Sequence, residues 1–265
     1  MQKFNLEKFF NNNNNFIKLR RVLYSKSDTG TRQKNEDYAY CGTNKLLDNL
    51  LIVCDGIGSC RGSEKAAEIV AKTFVNSFLK QEYLLTNVNE WFEKNIERAK
   101  FAMIDHVLRF KDHNQMCTTL VLALSVEDTF HVFWIGDSRA YLIDKKSFEQ
   151  LSDDHNLLNY LIKTGTPQEE IEAKGKKIYS LMNYISINTK DKQEYDYVSF
   201  KIKKNSFVFL ASDGFYNFFS DLGSLYDILS HDGNAENLSN DLVNYALNNQ
   251  SNDNISFSYI GFLKD

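Results

Sequence analysis

The sequence predicts an α+β sandwich, in which antiparallel sheets pack on each other and helices cover their outer faces. Segments with the apolar pattern of strands come first, two amphipathic helices follow, and strands, helices and a last strand complete the chain. Between residues 118 and 143, three apolar segments are separated by such short turns that we expect an antiparallel meander. A chain of 265 residues, 43% of them hydrophobic, can bury the core that this fold requires.

Each predicted strand is an apolar or alternating segment. The strands lie at 20–30 (an edge strand), 38–42, 50–54, 118–126, 130–136, 140–143, 195–202, 207–212 and 254–263. The predicted helices carry apolar residues at helical spacing and lie at 63–79, 88–110, 154–165, 166–175, 215–230 and 235–248. We expect Gly165 to close the third helix, Thr166 to cap the fourth and Pro167 to be its first residue.

The composition argues against several classes of protein. A net charge of −4, with 31 Lys and Arg residues scattered along the chain, creates no positive field for nucleic acid or an anionic membrane. No apolar run is long enough to span a membrane, and the start of the chain lacks the order of a signal peptide. The four cysteines form no CxxC pair, which is typical of free thiols in a reducing compartment. We therefore expect a cytoplasmic protein.

The chain reads as one domain with a short extension. Residues 1–19 form the predicted N-terminal extension, which contains an Asn tract at 11–15, and residues 20–265 form the single domain. Pro167 is the only proline, so there is no proline-rich linker, and no repeat recurs at a fixed spacing. We assign no role to the Asn tract.

Four aspartates stand at the ends of strongly apolar predicted strands. Asp55, Asp137 and Asp213 follow such strands, and Asp253 precedes the last one. Taken singly, each could be a turn former or a helix cap. If the strands are neighbours, however, the carboxylates meet at one rim and repel each other unless a cation neutralises them. Oxygen ligands select hard ions, so we expect Mg²⁺ or Mn²⁺.

A pair of ions at this rim suits the transfer of a phosphoryl group to water. Two ions that share a carboxylate can hold a water molecule, lower its pKa and present it as a nucleophile. Asp55 followed by Gly56 has the form of a bridging ligand, because glycine lets its backbone carbonyl approach an ion. The segment RQKNED adds Arg32, whose planar guanidinium binds phosphate, close to Glu36 and Asp37. A surface ion pair between Arg32 and Glu36 is the alternative.

Seven short motifs occur in a fixed order along the chain. They are GTRQKNED (30–37), VCDGIGS (53–59), CTTLVLALSV (117–126), FWIGDSRAYLI (133–143), LSDDHN (151–156), FLASDGFYNFF (209–219) and NDNISFSYI (252–260). In order and spacing this series resembles the metal-dependent protein Ser/Thr phosphatases of the protein phosphatase 2C type, in their bacterial form. Each motif is weak alone, whereas the ordered set across about residues 20–262 is a specific signal.

The resemblance implies a β-sandwich flanked by helices on both outer faces (α-β-β-α), with a variable flap near the active site. It implies hydrolysis of phosphoserine and phosphothreonine by metal-bound water at two, or as many as three, Mn²⁺ or Mg²⁺ ions. In the implied site, Asp55, Asp213 and Asp253 bind one ion, and Asp55, the Gly56 carbonyl and Glu36 bind the second. Asp137 and Asp213 would bind a third ion, and Asp37 lies beside the centre. Arg32 binds the phosphate, and the supporting residues are Asp154, His155 and Asn254.

The chain departs from the family pattern at three places. Many eukaryotic members carry histidine where this chain has Ile57, so the proton donor for the leaving group is open, although bacterial members commonly have an apolar residue there. Cys60 and Arg61 replace small residues in the loop after Asp55. Residues 156–195, where the family has its flap, resemble it only loosely.

The predicted function is the hydrolysis of phosphorylated Ser and Thr in proteins by a cytoplasmic, monomeric enzyme with a binuclear Mg/Mn centre. Its expected partner is a phosphorylated protein, a Ser/Thr kinase or the targets of one, and neither nucleic acid nor a membrane. The alternatives are a catalytically silent phosphoprotein-binding or scaffold domain of the same fold, and an enzyme dedicated to one phosphorylated regulator. The complete set of acids favours an enzyme over a silent domain, because a silent domain gains nothing from a costly charge cluster.

Overall fold

The computed structural model describes residues 19–188, 192–201, 203–219, 222–231 and 234–264. Residues 1–18 of the predicted N-terminal extension, including the Asn tract, lie outside this described part of the chain.

The observed elements follow the predicted order. The strands are β1 (Leu19–Asp28), β2 (Asp37–Thr43), β3 (Asn49–Asp55), β4 (Cys117–Thr118), β5 (Leu120–Val126), β6 (Thr129–Ile135), β7 (Arg139–Asp144), β8 (Phe148–Gln150), β9 (Ile185–Ser186), β10 (Asp196–Lys201), β11 (Ser206–Ala211) and β12 (Ile255–Lys264). The helices are α1 (Ser63–Leu79), α2 (Val88–Arg109), α3 (Leu157–Lys163), α4 (Gln168–Glu172), α5 (Asp213–Tyr216), α6 (Leu225–Ser230) and α7 (Ala235–Asn248). Within the described ranges, none of these helices is long and apolar enough to cross a membrane.

The longer strands form two antiparallel sheets that pack face to face. The strand order is β1-β12-β11-β7-β8 in the first sheet and β10-β6-β5-β3-β2 in the second, while β4 and β9 form a separate short pair. One buried cluster joins the inner faces, with Val53 and Val121 from the second sheet against Leu142, Val208 and Ile260 from the first. This layer is the interior of the predicted sandwich.

Helices cover both outer faces. On the second sheet, Phe74 of α1 packs in the same cluster as Ile52. On the first sheet, Phe215 of α5 and Val243 of α7 pack with Phe257. Burying each large apolar side chain contributes about 1.5–3 kcal/mol relative to leaving it in water. The resulting α-β-β-α order of layers confirms the predicted fold class.

The predicted meander between residues 118 and 143 is wrong for its last strand. β5 and β6 do pair with each other, but β7 pairs with β11 and β8 in the opposite sheet. The chain crosses between the sheets at Gly136, whose φ of 109° is outside the range that other residues adopt. A Cβ at this position would lie 2.7 Å from the side chain of Thr119. The short connection is therefore a crossing between sheets, and it carries Asp137.

Helices α1 and α7 have the predicted bounds and α2 ends one residue before its predicted end, whereas the shorter helices differ from the prediction. α3 begins at Leu157, three residues after the predicted start, because the Asn156 side chain caps it by accepting a hydrogen bond from Asn159 N–H at 2.9 Å. The predicted cap at Thr166 is wrong: Pro167 occupies the cap position of α4, and no side chain caps that helix. Within the described residues, the helix predicted at 215–230 is divided into α5 and α6. The short strands β8 and β9 were not predicted, because two or three residues carry too little periodicity.

The strand ends that carry the acidic residues converge. β2 begins at Asp37 and β3 ends at Asp55, and these two residues are cross-strand partners. In the first sheet, the end of β11 lies beside the starts of β7 and β12. The loops that carry Asp137 and Asp253 and the start of α5, which carries Asp213, therefore lie together at one end of that sheet.

Candidate active site

A cleft of about 170 Å³ lies where the ends of the two sheets meet. Most of the acidic residues singled out in the sequence line it, although they come from five separate segments of the chain. The lining residues are Arg32, Glu36, Asp55, Gly56, Ile57, Gly58, Thr119, Asp137, Leu181, Asp213 and Asp253.

Main-chain hydrogen bonds place Asp55 in this cleft. Its N–H donates to Thr119 Oγ1 at 3.0 Å, and its carbonyl accepts from Thr119 N–H at 2.8 Å and from the Thr118 hydroxyl at 2.9 Å. These bonds fix the backbone where β3 leaves the sheet. The Asp55 carboxylate takes no part in these bonds and is available to the other groups of the cleft.

Several carboxyl groups crowd Asp55. Burial raises its pKa well above the ordinary range, and the charges of Asp37, Asp213, Asp137 and Asp253 raise it further. Burial and then the charge of Asp253 raise the pKa of Asp213, while interaction with the Asp55 side chain lowers it. Positive charge beside these carboxyl groups would stabilise their ionised forms.

Two more carboxyl groups flank this pair. Burial raises the pKa of Asp37 to about 7, even though the Ser212 hydroxyl donates to its carboxylate at 2.8 Å. Burial, with the charge of Asp213, raises the pKa of Asp137 to about 7 as well. A bound cation would reverse both shifts, because an adjacent positive charge favours the ionised form.

The chemistry of the lining residues fits a hard divalent cation. Of the described residues that line the cleft, Arg32 alone is cationic, against Glu36 and four aspartates, and none is Cys or His. Oxygen donors of this kind suit Mg²⁺ and Mn²⁺. Among the described residues, no three acidic, His or Cys side chains already form a complete set of ion ligands. To bind an ion, the acidic side chains of the cleft would have to exchange some of their contacts with protein groups for contacts with that ion.

Glu36 and Gly56 are joined through the main chain. Gly56 N–H donates to the Glu36 carbonyl at 3.0 Å, which holds the loop after β3 against the start of β2. A Cβ at position 56 would lie 2.6 Å from that carbonyl oxygen, so only glycine permits this approach. Ser63, at the start of α1, donates to Glu36 Oε1 at 2.5 Å. Ser63 was not predicted as part of the site.

Arg32 lies at the mouth of the cleft, with 47% of its side chain exposed. Its Nε donates to the Asn252 carbonyl at 2.7 Å and its Nη2 to Asp253 Oδ2 at 2.8 Å. The ion pair considered between Arg32 and Glu36 is therefore replaced by one with Asp253. An exposed pair of this kind contributes about 0–1 kcal/mol, so little free energy opposes its exchange for another partner.

Asn254 fastens the loop that carries Arg32 and Glu36. The residue is 4% exposed. Its Nδ2 donates to the carbonyls of Thr29 at 2.8 Å and Lys34 at 2.9 Å, and its Oδ1 accepts from Glu36 N–H at 2.8 Å. Three bonds from one buried side chain hold this loop against the start of β12.

Asp154 lies behind Asp137 and outside the cleft lining. It accepts two hydrogen bonds from the Arg139 guanidinium, at 2.8 and 2.7 Å. That guanidinium lies 3.9 Å from the centre of the Tyr216 ring, and the Tyr216 hydroxyl donates to the Asp137 carbonyl at 3.0 Å. Asp154 is thus linked to Asp137 through Arg139 and Tyr216, and its charge also raises the pKa of Asp137.

His155 also lies outside the cleft lining. Its Nδ1 accepts from Gly136 N–H at 3.1 Å, and its Nε2 is 3.4 Å from Asp196 Oδ2. Burial lowers its pKa, which favours the neutral imidazole. Its position supports the crossing between the sheets.

Thr119 and Leu181 line the cleft, although neither was singled out in the sequence. Thr119 Oγ1 is 2.7 Å from Ser138 Oγ and also accepts from the Asp55 backbone. The two threonines that precede the buried strand in CTTLVLALSV could have marked Thr119 as a site residue. Leu181 comes from the loosely similar segment 156–195 and had no such signal. Ile57 faces the same cleft and has no proton to donate.

Fold and site define a metal-dependent phosphatase, and the chain belongs to the protein phosphatase 2C family, whose sequence model matches residues 26–247. A candidate protein phosphatase of Mycoplasma genitalium is 31% identical over 244 residues, which cover 88% of this chain and 92% of that protein. The family and the class of enzyme predicted from the sequence are confirmed.

Solved structures share the fold. The crystal structure of the serine/threonine phosphatase Stp1 from Staphylococcus aureus matches with a TM-score of 0.76 and 27% identity, covering 92% of this chain and 94% of that one. The catalytic domain of the serine threonine protein phosphatase PstP, solved with two manganese ions, matches with a TM-score of 0.73 and 22% identity, covering 93% and 100%.

Proposed function

We propose that this chain hydrolyses phosphoserine and phosphothreonine in proteins, at a centre of two divalent cations held by the acidic cleft. The observation that carries the proposal is the crowding at Asp55, which lies in the cleft with Asp137, Asp213 and Asp253 and next to Asp37 across the strand pair. Such a cluster costs free energy of folding, which is why clusters of this kind are found mainly at functional sites. The similarity to Stp1, a serine/threonine phosphatase, supports the same substrate class.

The proposed ligands are those of the cleft. Asp55, Asp213 and Asp253 would hold one ion, and Asp55, the Gly56 carbonyl and Glu36 a second. Asp137 and Asp213 would hold a third, and Asp37 would lie beside the centre. When bound, Mn²⁺ or Mg²⁺ supplies a water of lowered pKa as the nucleophile and positive charge for the phosphoryl oxygens. The two manganese ions in the structure of PstP support this number of ions.

Arg32 is the proposed phosphate-binding residue. Arg32 lines the cleft, and its guanidinium is exposed. Its ion pair with Asp253 costs little free energy to break. A guanidinium donates two parallel hydrogen bonds to phosphate and so fixes its orientation relative to the attacking water. Ile57 has no proton to give, so the proton for the leaving alkoxide comes from another group.

Several finer points remain predictions. They are the physiological substrate, a Ser/Thr kinase as functional partner, the monomeric state, the cytoplasmic location and the single-domain boundary at residue 20. A catalytically silent phosphoprotein-binding domain is the alternative function. It would bind phosphopeptide without turnover.

Hydrolysis of a phosphothreonine peptide tests the proposal. We expect turnover with Mn²⁺ or Mg²⁺, none after EDTA, and recovery when the ion is restored. Asp55→Asn should bind the peptide without hydrolysing it. Undiminished turnover by the metal-stripped protein would disprove the mechanism, and peptide binding without turnover in every metal would favour the silent domain.

A further inference from the structure

Two cysteines lie together beside the cleft. Cys60 is in the turn between β3 and α1, and Cys117 begins β4. Ile57 N–H donates to the Cys117 carbonyl at 3.2 Å, and Cys60 N–H donates to the Ile57 carbonyl at 2.8 Å. These two bonds fold the turn onto β4. Both residues are free thiols.

The two thiols differ in their access to solvent. Cys117 is 5% exposed, and its Sγ donates to the Gln115 carbonyl at 3.0 Å. Burial, followed by contact with the Cys60 side chain, raises the pKa of the Cys117 thiol to about 12. Cys117 is therefore protonated at neutral pH, whereas Cys60 is partly exposed. An oxidant that arrives from solvent meets Cys60 first.

We propose that peroxide oxidises Cys60 and Cys117 to a reversible disulfide and that this modification lowers the activity of the enzyme. The Cys60 thiolate attacks a peroxide oxygen, so that an S–O bond forms, the O–O bond breaks and hydroxide leaves. The Cys117 sulfur then attacks the Cys60 sulfur, the S–S bond forms, and the S–O bond breaks. The departing hydroxide takes the Cys117 proton and leaves as water. Two thiols are oxidised, and hydrogen peroxide is reduced to water.

The turn that the disulfide would pull is part of the cleft wall. Ile57 and Gly58 line the cleft, and a Cβ on Gly58 would lie only 3.1 Å from Glu36 Oε2. An S–S bond is about 2.05 Å long, shorter than any contact between separate thiols, so its formation draws the turn toward β4. A displacement of about 1 Å at a catalytic site can cost on the order of 10²-fold in rate.

The remaining cysteines provide controls. Cys54 is fully buried in β3. Cys41 is partly exposed on β2, where burial raises the pKa of its thiol to about 11. Cys41→Ser is therefore the matched control, because it removes a partly exposed cysteine that does not contribute to the cleft.

Mass spectrometry tests the modification itself and does not depend on the proposed function. Full-length, metal-free protein is treated with hydrogen peroxide, the peroxide is removed with catalase, free thiols are alkylated, and the protein is cleaved before aspartates. Cleavage before Asp55 separates Cys54 from Cys60. We expect two peptides linked by a Cys60–Cys117 disulfide, which dithiothreitol reduces and so separates. A Cys117 that is still alkylated while Cys60 is over-oxidised, or a disulfide that joins other cysteines, would overturn the proposal.

The second measurement, of enzyme activity, rests on the proposed function. After peroxide, turnover with Mn²⁺ should fall by about tenfold or more in the wild type and in Cys41→Ser, and dithiothreitol should restore it. Cys60→Ser and Cys117→Ser should keep the turnover of their untreated forms. Equal inactivation of Cys60→Ser would overturn the regulatory part of the proposal. If even the reduced wild type has no turnover, the proposed function fails, and the mass spectrum still decides whether the disulfide forms.

Discussion

Asp55 is crowded by four other aspartates of the site. Burial and the charges of four neighbouring aspartates raise its pKa. Arg32 is the opposite case, since it is an exposed cation at the same cleft with an exchangeable partner. Substitutions at these two residues therefore have different expected effects on stability and on activity.

Asp55→Asn should abolish turnover and leave the metal-free protein as stable as the wild type or more stable. An amide is similar in shape, can donate to Asp213 and carries no charge to repel the other carboxylates. The melting temperature in EDTA at pH 8 measures this effect. Asp128→Asn, which removes an exposed carboxylate paired with Lys201, is the control and should retain turnover. A large loss of stability at position 55 would mean that Asp55 is a structural cap.

Arg32→Ala should lower kcat/KM by about 10–100-fold, because a hydrogen bond to a charged group contributes about 1.5–3 kcal/mol. The effect should be similar for a phosphopeptide and a small aryl phosphate, since both present the same phosphate. Arg61→Ala, at an exposed arginine that does not line the cleft, is the matched control. Unchanged kinetics would reduce Arg32 to a surface ion pair.

At the scale of elements, two connections decide where the ligands lie. The loop between β1 and β2 is held by Asn254 at the start of β12. The crossing from β6 to β7 carries Asp137 and is supported by Gly136 and by the Tyr216 hydroxyl. Each connection positions cleft residues through contacts with distant parts of the chain.

Asn254→Ala should destabilise the protein by about 1–3 kcal/mol, because it removes three hydrogen bonds between a buried side chain and part-buried backbone groups. It should also weaken Mn²⁺ binding, since Glu36 loses the bond to its backbone N–H. Urea unfolding and calorimetric titration with Mn²⁺ measure the two effects. Asn249→Ala, an exposed asparagine at the end of α7, is the control. Unchanged metal binding would limit Asn254 to a folding role.

Asp137→Ala should retain two tightly bound ions and turn over slowly, with partial recovery at high Mn²⁺ as mass action fills a weakened third site. Asp213→Ala, which removes a proposed ligand from two sites, should not recover. Calorimetric titration with Mn²⁺ beside peptide turnover distinguishes them. Loss of all binding in Asp137→Ala would assign Asp137 to the main centre, and wild-type behaviour would make it a turn residue.

At the scale of the whole molecule, the acidic cleft links stability to pH and to metal. The pKa values of Asp37 and Asp137 are raised from 3.8 to about 7. Between these values the unfolded chain has released protons that the folded chain still holds, so this contribution to stability falls as pH rises and is lowest above about 7. Burial lowers the pKa of His106, His131 and His155, which opposes this trend below their ordinary pKa of 6.5.

The metal-free protein should therefore melt at a higher temperature at pH 6.5 than at pH 8, and Mn²⁺ should remove or reverse this difference. Asp37→Asn should reduce the slope in EDTA, because one raised carboxyl group is gone while the histidines are unchanged. Scanning calorimetry at both pH values measures the effect. A melting temperature that rises from pH 6.5 to pH 8 in EDTA would contradict the electrostatic account.

The sequence by itself determined the properties that depend on local order. Helical and strand periodicity located α1, α2 and the long strands, and the position of Asp55 at the end of an apolar strand marked it as a candidate metal ligand. The ordered motifs then identified the family, because seven weak signals in one order rarely coincide.

Only the tertiary structure decided which distant segments meet. β7 joins the opposite sheet, because a short connection can either turn back or cross, and Gly136 permits the crossing. Arg32 pairs with Asp253, 221 positions away, instead of its neighbour Glu36. Thr119, Leu181 and the contact of Cys60 with Cys117 likewise depend on how loops pack at one end of the sandwich. Such contacts are set by the burial of the whole core, whose pattern no single segment contains.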